Sequence, residues 1–561
     1  MSESKTARDG DHARDITIEK YTLALIWPVV LRGLPRGQDG ESRPLVSEWA
    51  DWFVKHAGWN DPLKEFSDTA VPPIPDVYSY AEIVYFHPFV RDFLFGDGGT
   101  KKRDLSTRFL TRNDVQSVTV EVLQAEKKDA DGETILDDLQ KPVIETIHQT
   151  FAVTRLQLHI MKPCVALLTL EISAVGKTLH ELMQFQDRFR RIYPPYWAGD
   201  EPGLCVRKVE WSDRHGKPIC TSDVPDQKAQ LEAFPRAGGE PPVCAHWQFF
   251  FGSLQPLQTR KQLDSSDDQV NGKLCYQQLT DERIQTMSYF AVGDPRRISE
   301  GDLYRLTFVD DAADRVDGKW VSNTYAYNPA FLECTRDSYR YERFSHYGTT
   351  YLACGYGFTV VGKSDWFFTD IVHGHFRHHY FRMGLLAHYQ RAALLYFGDE
   401  LSNAIKDLVG EGPHQELQNE KFRKHVEEIQ MGFLKFRSRA FFPEVSNQLQ
   451  AQELWKFWVD HLNTKVLFEQ VDGTSHRLTD VLAESETRHL TRFATFGVPI
   501  ALILSVLSVF ASFASQDKWE VTHWDWSLGL GGVLVLFAGT FLGQQGYLGS
   551  RISRVINSTH C

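Results

Sequence analysis

The chain has 561 residues, with 61 Lys and Arg against 73 Asp and Glu, which gives a formal net charge of −12. This acidic balance argues against nucleic acid as the main partner and is compatible with cations. Eight cysteines without a CxxC pair, in so long a chain, indicate a reducing compartment rather than a disulfide scaffold. The charged start, residues 1–15, has no apolar core, so we expect a disordered N-terminus without a secretory signal.

Residues 16–368 contain short apolar runs separated by Gly, Pro and acidic turns, a pattern typical of strands. A helix is predicted over 178–191, so the region reads as an α/β (α+β) cytoplasmic domain. The runs predicted as strands are TLALIWPVVL, YAEIVYFHPFV, SVTVEVLQ, QTFAVTRLQLHIM, CVALLTLEIS, HWQFFFGSL, LYRLTFVDD and TYLACGYGFTVVG.

Motifs that carry covalent chemistry are missing from the sequence. No GxSxG, Walker phosphate loop or GxGxxG after a strand occurs, and the acidic loops do not follow the ligand order of an EF-hand. The sequence therefore predicts neither an enzyme nor a bound cofactor.

Residues 369–492 form a predicted region of long helices that ends in a stalk. Its first helix, predicted over 370–408, begins with a histidine-rich stretch. His375 and His379 are four residues apart, a spacing that places two imidazoles on one helix face, where they can bind a transition metal. The alternative is a histidine cluster that is solvated or packed in an interface.

Two uncharged segments, 493–514 and 526–548, are each long enough to span the hydrocarbon core of about 30 Å. They predict a two-helix transmembrane hairpin with an outer loop at 515–525 and a tail at 549–561. The basic residues that flank the hairpin place both chain ends in the cytoplasm, which predicts a two-pass protein of the inner (plasma) membrane. These residues are Arg488, Arg492, Arg551 and Arg554.

One face of the first predicted span carries small residues at helical spacing. Such a face either lines a narrow pore in an oligomer or lets membrane helices pack closely. The candidate pore-lining residues are Gly497, Ala501, Ser505, Ser508 and Ser512.

The order of these parts resembles the CorA-like metal-ion transporters. The segments YFHPFVRDFLFG, HFRHHYFRMGLLAHYQRAALLYF and FFPEVSNQLQAQELW look like those of CorA-like bacterial proteins with enlarged cytoplasmic domains. The resemblance implies a homopentamer in the lipid bilayer, with the first membrane helix lining a pore for magnesium, cobalt, nickel or zinc. The family's Gly-Met-Asn signature is absent, and Ser515, Gln516 and Asp517 are the polar residues at the corresponding pore entrance.

Two functions are therefore predicted. The first is a CorA-like membrane protein that conducts or regulates divalent cations through an oligomeric pore. The alternative is a membrane-anchored sensor or interaction protein that does not transport and uses the hairpin to oligomerise.

Overall fold

The computed structural model describes residues 16–33, 46–62, 77–95, 107–126, 135–136, 144–198, 201–202, 205–223, 228–229, 231–232, 241–257, 274–310, 315–316, 319–320, 333, 336, 338–410 and 420–492. The chain divides into two compact units. The first comprises Met1–Ala404 and His425–Val471, and the second comprises Ile405–Lys424 and Asp472–Cys561. The sheet, and the site described below, lie in the first unit.

The strands of the described residues are β1 (Thr17–Arg32), β2 (Thr107–Thr111), β3 (Ser117–Glu126), β4 (Ile144–Met161), β5 (Val165–Ala174), β6 (Lys177–Thr178), β7 (Trp197–Ala198), β8 (Glu201–Pro202), β9 (Val206–Ser212), β10 (Pro218–Asp223), β11 (Gln255–Pro256), β12 (Cys275–Gln278), β13 (Gln285–Val292), β14 (Arg315–Val316), β15 (Lys319–Trp320), β16 (Arg340–Tyr341), β17 (Thr350–Ala353) and β18 (Gly357–Lys363).

The α-helices within the described ranges are α1 (Val46–His56), α2 (Val77–Tyr85), α3 (Pro88–Phe95), α4 (Leu179–Phe189), α5 (Ala245–Gln248), α6 (Glu300–Phe308), α7 (His373–His375), α8 (Phe381–Gly410), α9 (Glu420–Arg439), α10 (Leu449–His461) and α11 (Thr464–Arg492). The same ranges contain short 3₁₀ helices at Phe249–Phe251, Pro295–Arg297 and Ser345–Tyr347. Two π-helical turns, Phe367–Val372 and Phe376–Tyr380, flank α7 and lead into α8.

A mixed sheet of 14 strands forms the centre of the first unit, with β10-β9-β3-β4-β5-β1-β13-β18-β17-β16 as its main path. The neighbours on this path are antiparallel except β13 and β18. Every residue from Tyr21 to Leu31 of β1 is buried, because both faces of this central strand are covered.

Pro28 lies within β1 although proline cannot donate to a sheet ladder. On one side β1 pairs with β5 throughout this region, and Pro28 lies opposite Leu167. On the other side, pairing with β13 ends at Ile26 and pairing with β12 begins at Val29. Pro28 therefore occupies the gap between two partner strands, where the ladder on that side is already interrupted.

The two faces of the sheet pack against different helices. On one face Phe151 of β4 stacks on Phe185 of α4, with ring centroids 3.9 Å apart. On the other face Phe358 of β18 stacks on Trp458 of α10, with centroids 4.2 Å apart. Burial of large aromatic side chains on both faces is the main favourable contribution to folding here.

Most predicted strands are confirmed, and three are wrong. The runs in β1, β3, β4, β5 and β17–β18 are strands, and the predicted helix over 178–191 is α4. YAEIVYFHPFV instead lies in the helical region of α2 and α3, HWQFFFGSL forms α5 with a 3₁₀ turn, and LYRLTFVDD lies mostly in α6. Short runs rich in apolar residues do not by themselves distinguish a buried helix from a strand, which explains these errors.

The predicted CorA-like fold with a two-pass hairpin in the inner membrane is corrected. The described residues form a mixed α/β protein around the 14-stranded sheet. Within the described ranges, no helix is long and apolar enough to cross a bilayer. The predicted spans 493–514 and 526–548, the loop 515–525 and the tail 549–561 lie outside the described residues. The membrane and transport interpretation is therefore not carried further.

Gly362 of β18 lies against the buried ring of Phe368, and a Cβ at this position would overlap that ring. We expect Gly362→Ala to destabilise the protein by about 1–3 kcal/mol, because the packed aromatic ring has to move. Gly473→Ala is the matched control, since Gly473 lies in a helix and, apart from that helix's own backbone, no atom of the described residues lies within 4 Å of the added methyl. That substitution should raise stability by about 0.5–1 kcal/mol. Thermal unfolding measures both, and equal shifts for the two variants would contradict this packing.

Candidate functional site

The histidine-rich segment enters the long helix α8 through π-helical turns rather than regular α-helix. The turns Phe367–Val372 and Phe376–Tyr380 surround the short α-helical turn His373–His375. Such π-turns are rare and occur frequently at functional sites. The sequence predicted a helix here, but a period of 3.6 residues gives no signal for a π-turn.

The carboxylate of Glu171, on β5, connects this segment to the sheet through ion pairs and hydrogen bonds. It is 1% exposed, and its Oε1 accepts hydrogen bonds from Arg377 Nε at 2.7 Å and from Thr154 Oγ1 at 2.7 Å. Arg155 Nη2, on β4, lies 3.3 Å from Glu171 Oε2 and also donates to the carbonyl oxygen of Arg377 at 2.6 Å. Two strands and the π-helical turn therefore meet at one buried carboxylate.

Glu171 remains ionised in this environment. Burial alone opposes the charged carboxylate, but Arg155 and Arg377 outweigh it and hold the pKa of Glu171 below its ordinary value. A buried charge of this kind is tolerated only when it is paired and hydrogen-bonded.

A second ion pair joins α2 to the same helix. Glu82 accepts hydrogen bonds from Arg382 and from His378 Nδ1, the latter at 3.1 Å. Burial raises the pKa of Glu82, yet Arg382 and His378 together lower it to about 2. The ring of Phe381 lies between the two ion pairs, with Arg155 Cζ 4.2 Å from its centroid.

The imidazoles of His375 and His379 lie side by side next to these ion pairs. Their ring centroids are 4.8 Å apart, and the His379 ring also contacts the ring of Tyr85 on α2, at 4.3 Å. The backbone of Ala81 acts to raise the pKa of His379, whereas the buried Nδ1 of that ring has no hydrogen-bond partner in the described part of the chain. An unprotonated Nδ1 in this position keeps a lone pair that no described group uses.

Both of these histidines are neutral at pH 7. Burial lowers the pKa of His379 to about 4 and lowers that of His375. Neutral imidazole is the form that binds a metal ion. Metal-binding histidines commonly donate their second ring N–H to a backbone carbonyl or carboxylate.

The other histidines of the segment have different partners. His373 Nε2 lies 3.0 Å from Thr22 Oγ1 on β1, and His378 pairs with Glu82. His388, further along α8, is buried, and burial lowers its pKa to about 3. In the described ranges no group of three or more His, Cys, Asp or Glu side chains is arranged to hold a metal ion.

The remaining predicted site residues lie outside the described residues. These are the pore-lining candidates Gly497, Ala501, Ser505, Ser508 and Ser512, and the pore-entrance candidates Ser515, Gln516 and Asp517. Of the predicted site residues, only His375 and His379 lie within the described ranges.

Sequence reasoning missed the charged partners of the segment. Glu171 is the only acidic residue of the apolar strand VALLTLEISA, and a carboxylate in such a run indicates a buried ion pair. Its partner Arg377 is 206 residues away in the sequence, so spacing alone could not identify it. The link from Glu82 to Arg382, 300 residues apart, escapes local patterns for the same reason.

The buried imidazoles predict a loss of stability in mild acid. Since the folded protein holds the pKa of His379 near 4, below the ordinary 6.5, the unfolded chain binds the proton first as the pH falls. Stability should therefore decrease from about pH 6.5 towards pH 4. His379→Gln should show a smaller decrease in melting temperature between pH 7.5 and pH 5 than the wild type.

His476→Gln is the control for this experiment, because the side chain of His476 is 73% exposed. This variant should follow the wild-type pH profile. A His379→Gln profile identical to that of the wild type would show that His379 is not buried as a neutral ring.

In comparisons with known proteins, no family model matches the chain, and neither a curated protein nor a solved structure matches it. The resemblance to CorA-like transporters consequently stays a prediction.

Proposed function

We propose that this protein is a non-catalytic sensor that binds a divalent transition-metal ion through His375 and His379. The observation that carries the proposal is the geometry of His379. Its Nδ1 is buried and has no hydrogen-bond partner among the described residues, and the centroid of the His375 ring lies 4.8 Å from that of His379. This arrangement orients a lone pair towards a ligand before the ligand arrives.

The ligand chemistry favours zinc, nickel or cobalt over magnesium. Imidazole nitrogen is a good ligand for these borderline ions, whereas magnesium prefers oxygen ligands and retains its water. Two protein ligands leave other coordination positions open to water, which suits reversible binding rather than a closed structural site. The proposed ligand is therefore a regulatory divalent cation.

The position of the site suits a sensor. His379 contacts Tyr85 of α2, and its neighbours Arg377 and His378 bind Glu171 of the sheet and Glu82 of α2. An ion held by His375 and His379 therefore adds a positive charge beside two ion pairs that join three elements. Metal binding would weaken or rearrange those ion pairs, and this change would alter the surface that a partner recognises.

Reactive side chains give no comparable support to an enzyme. Burial raises the thiol pKa of Cys205 to about 11 and that of Cys354 to about 11, and it also raises those of Cys244 and Cys275. A buried thiol with a raised pKa is a poor nucleophile.

Calorimetric titration of the full chain with Zn²⁺, Ni²⁺, Co²⁺ and Mg²⁺ tests the proposal. We expect one site per chain that binds at least one of the first three ions, and that Mg²⁺ does not compete for it. The double variant with His375→Ala and His379→Ala should weaken that binding at least about tenfold, because both nitrogen ligands are removed.

The matched control is His476→Ala, which removes an exposed histidine of another helix and should leave the affinity unchanged. Absence of binding for all three transition-metal ions would contradict the proposal. So would an affinity that the double variant leaves unaltered.

A further inference from the structure

We draw no further inference here: the strongest candidate, the surface patch of exposed apolar side chains at Tyr80 and Val84 of α2 and Phe89 of α3, carries none, because nothing in the described part of the chain shows what covers it.

Discussion

The buried carboxylate of Glu171 is the interaction on which the arrangement of the candidate site depends. It joins β5 to Arg155 of β4 and to Arg377 of the π-helical turn, which enters α8. A buried carboxylate between two guanidiniums restricts the positions of all three groups, because any of them that lost its partner would be left as an unpaired charge. The sheet thereby determines where the histidine segment lies, and the π-turns allow its side chains to reach both the sheet and α2.

This arrangement separates two kinds of side chain within one short segment. Arg377 and Arg382 are engaged in ion pairs and His378 hydrogen-bonds to Glu82, whereas His375 and His379 pack edge to face as neutral rings. The ion pairs hold the backbone in place, so the lone pair of His379 keeps its orientation without a ligand. A site prepared in this way binds at a lower conformational cost than one formed on a mobile loop.

The sequence predicted the alternating and fully buried strands around β1 well, since their pattern is local. It failed for HWQFFFGSL and YAEIVYFHPFV, which are rich in large apolar residues and carry no period that separates helix from strand. In LYRLTFVDD, the better signal was Ser299, which caps α6 through its hydrogen bond with Asp302 N. The i, i+4 histidine pair was visible in the sequence, because its two members are close neighbours in one continuous helical segment. Its charged surroundings were not, because Glu171 and Glu82 are brought to the helix by tertiary contacts alone.

A double-mutant cycle between Glu171 and Arg377 tests the central claim most directly. Urea unfolding of the variants Glu171→Gln, Arg377→Gln and the double variant yields their coupling free energy. We predict about 1–3 kcal/mol for this buried pair and a smaller coupling for the more exposed pair Arg343 and Glu453. A coupling below about 0.5 kcal/mol between Glu171 and Arg377 would contradict the claim that this carboxylate fastens the helix to the sheet.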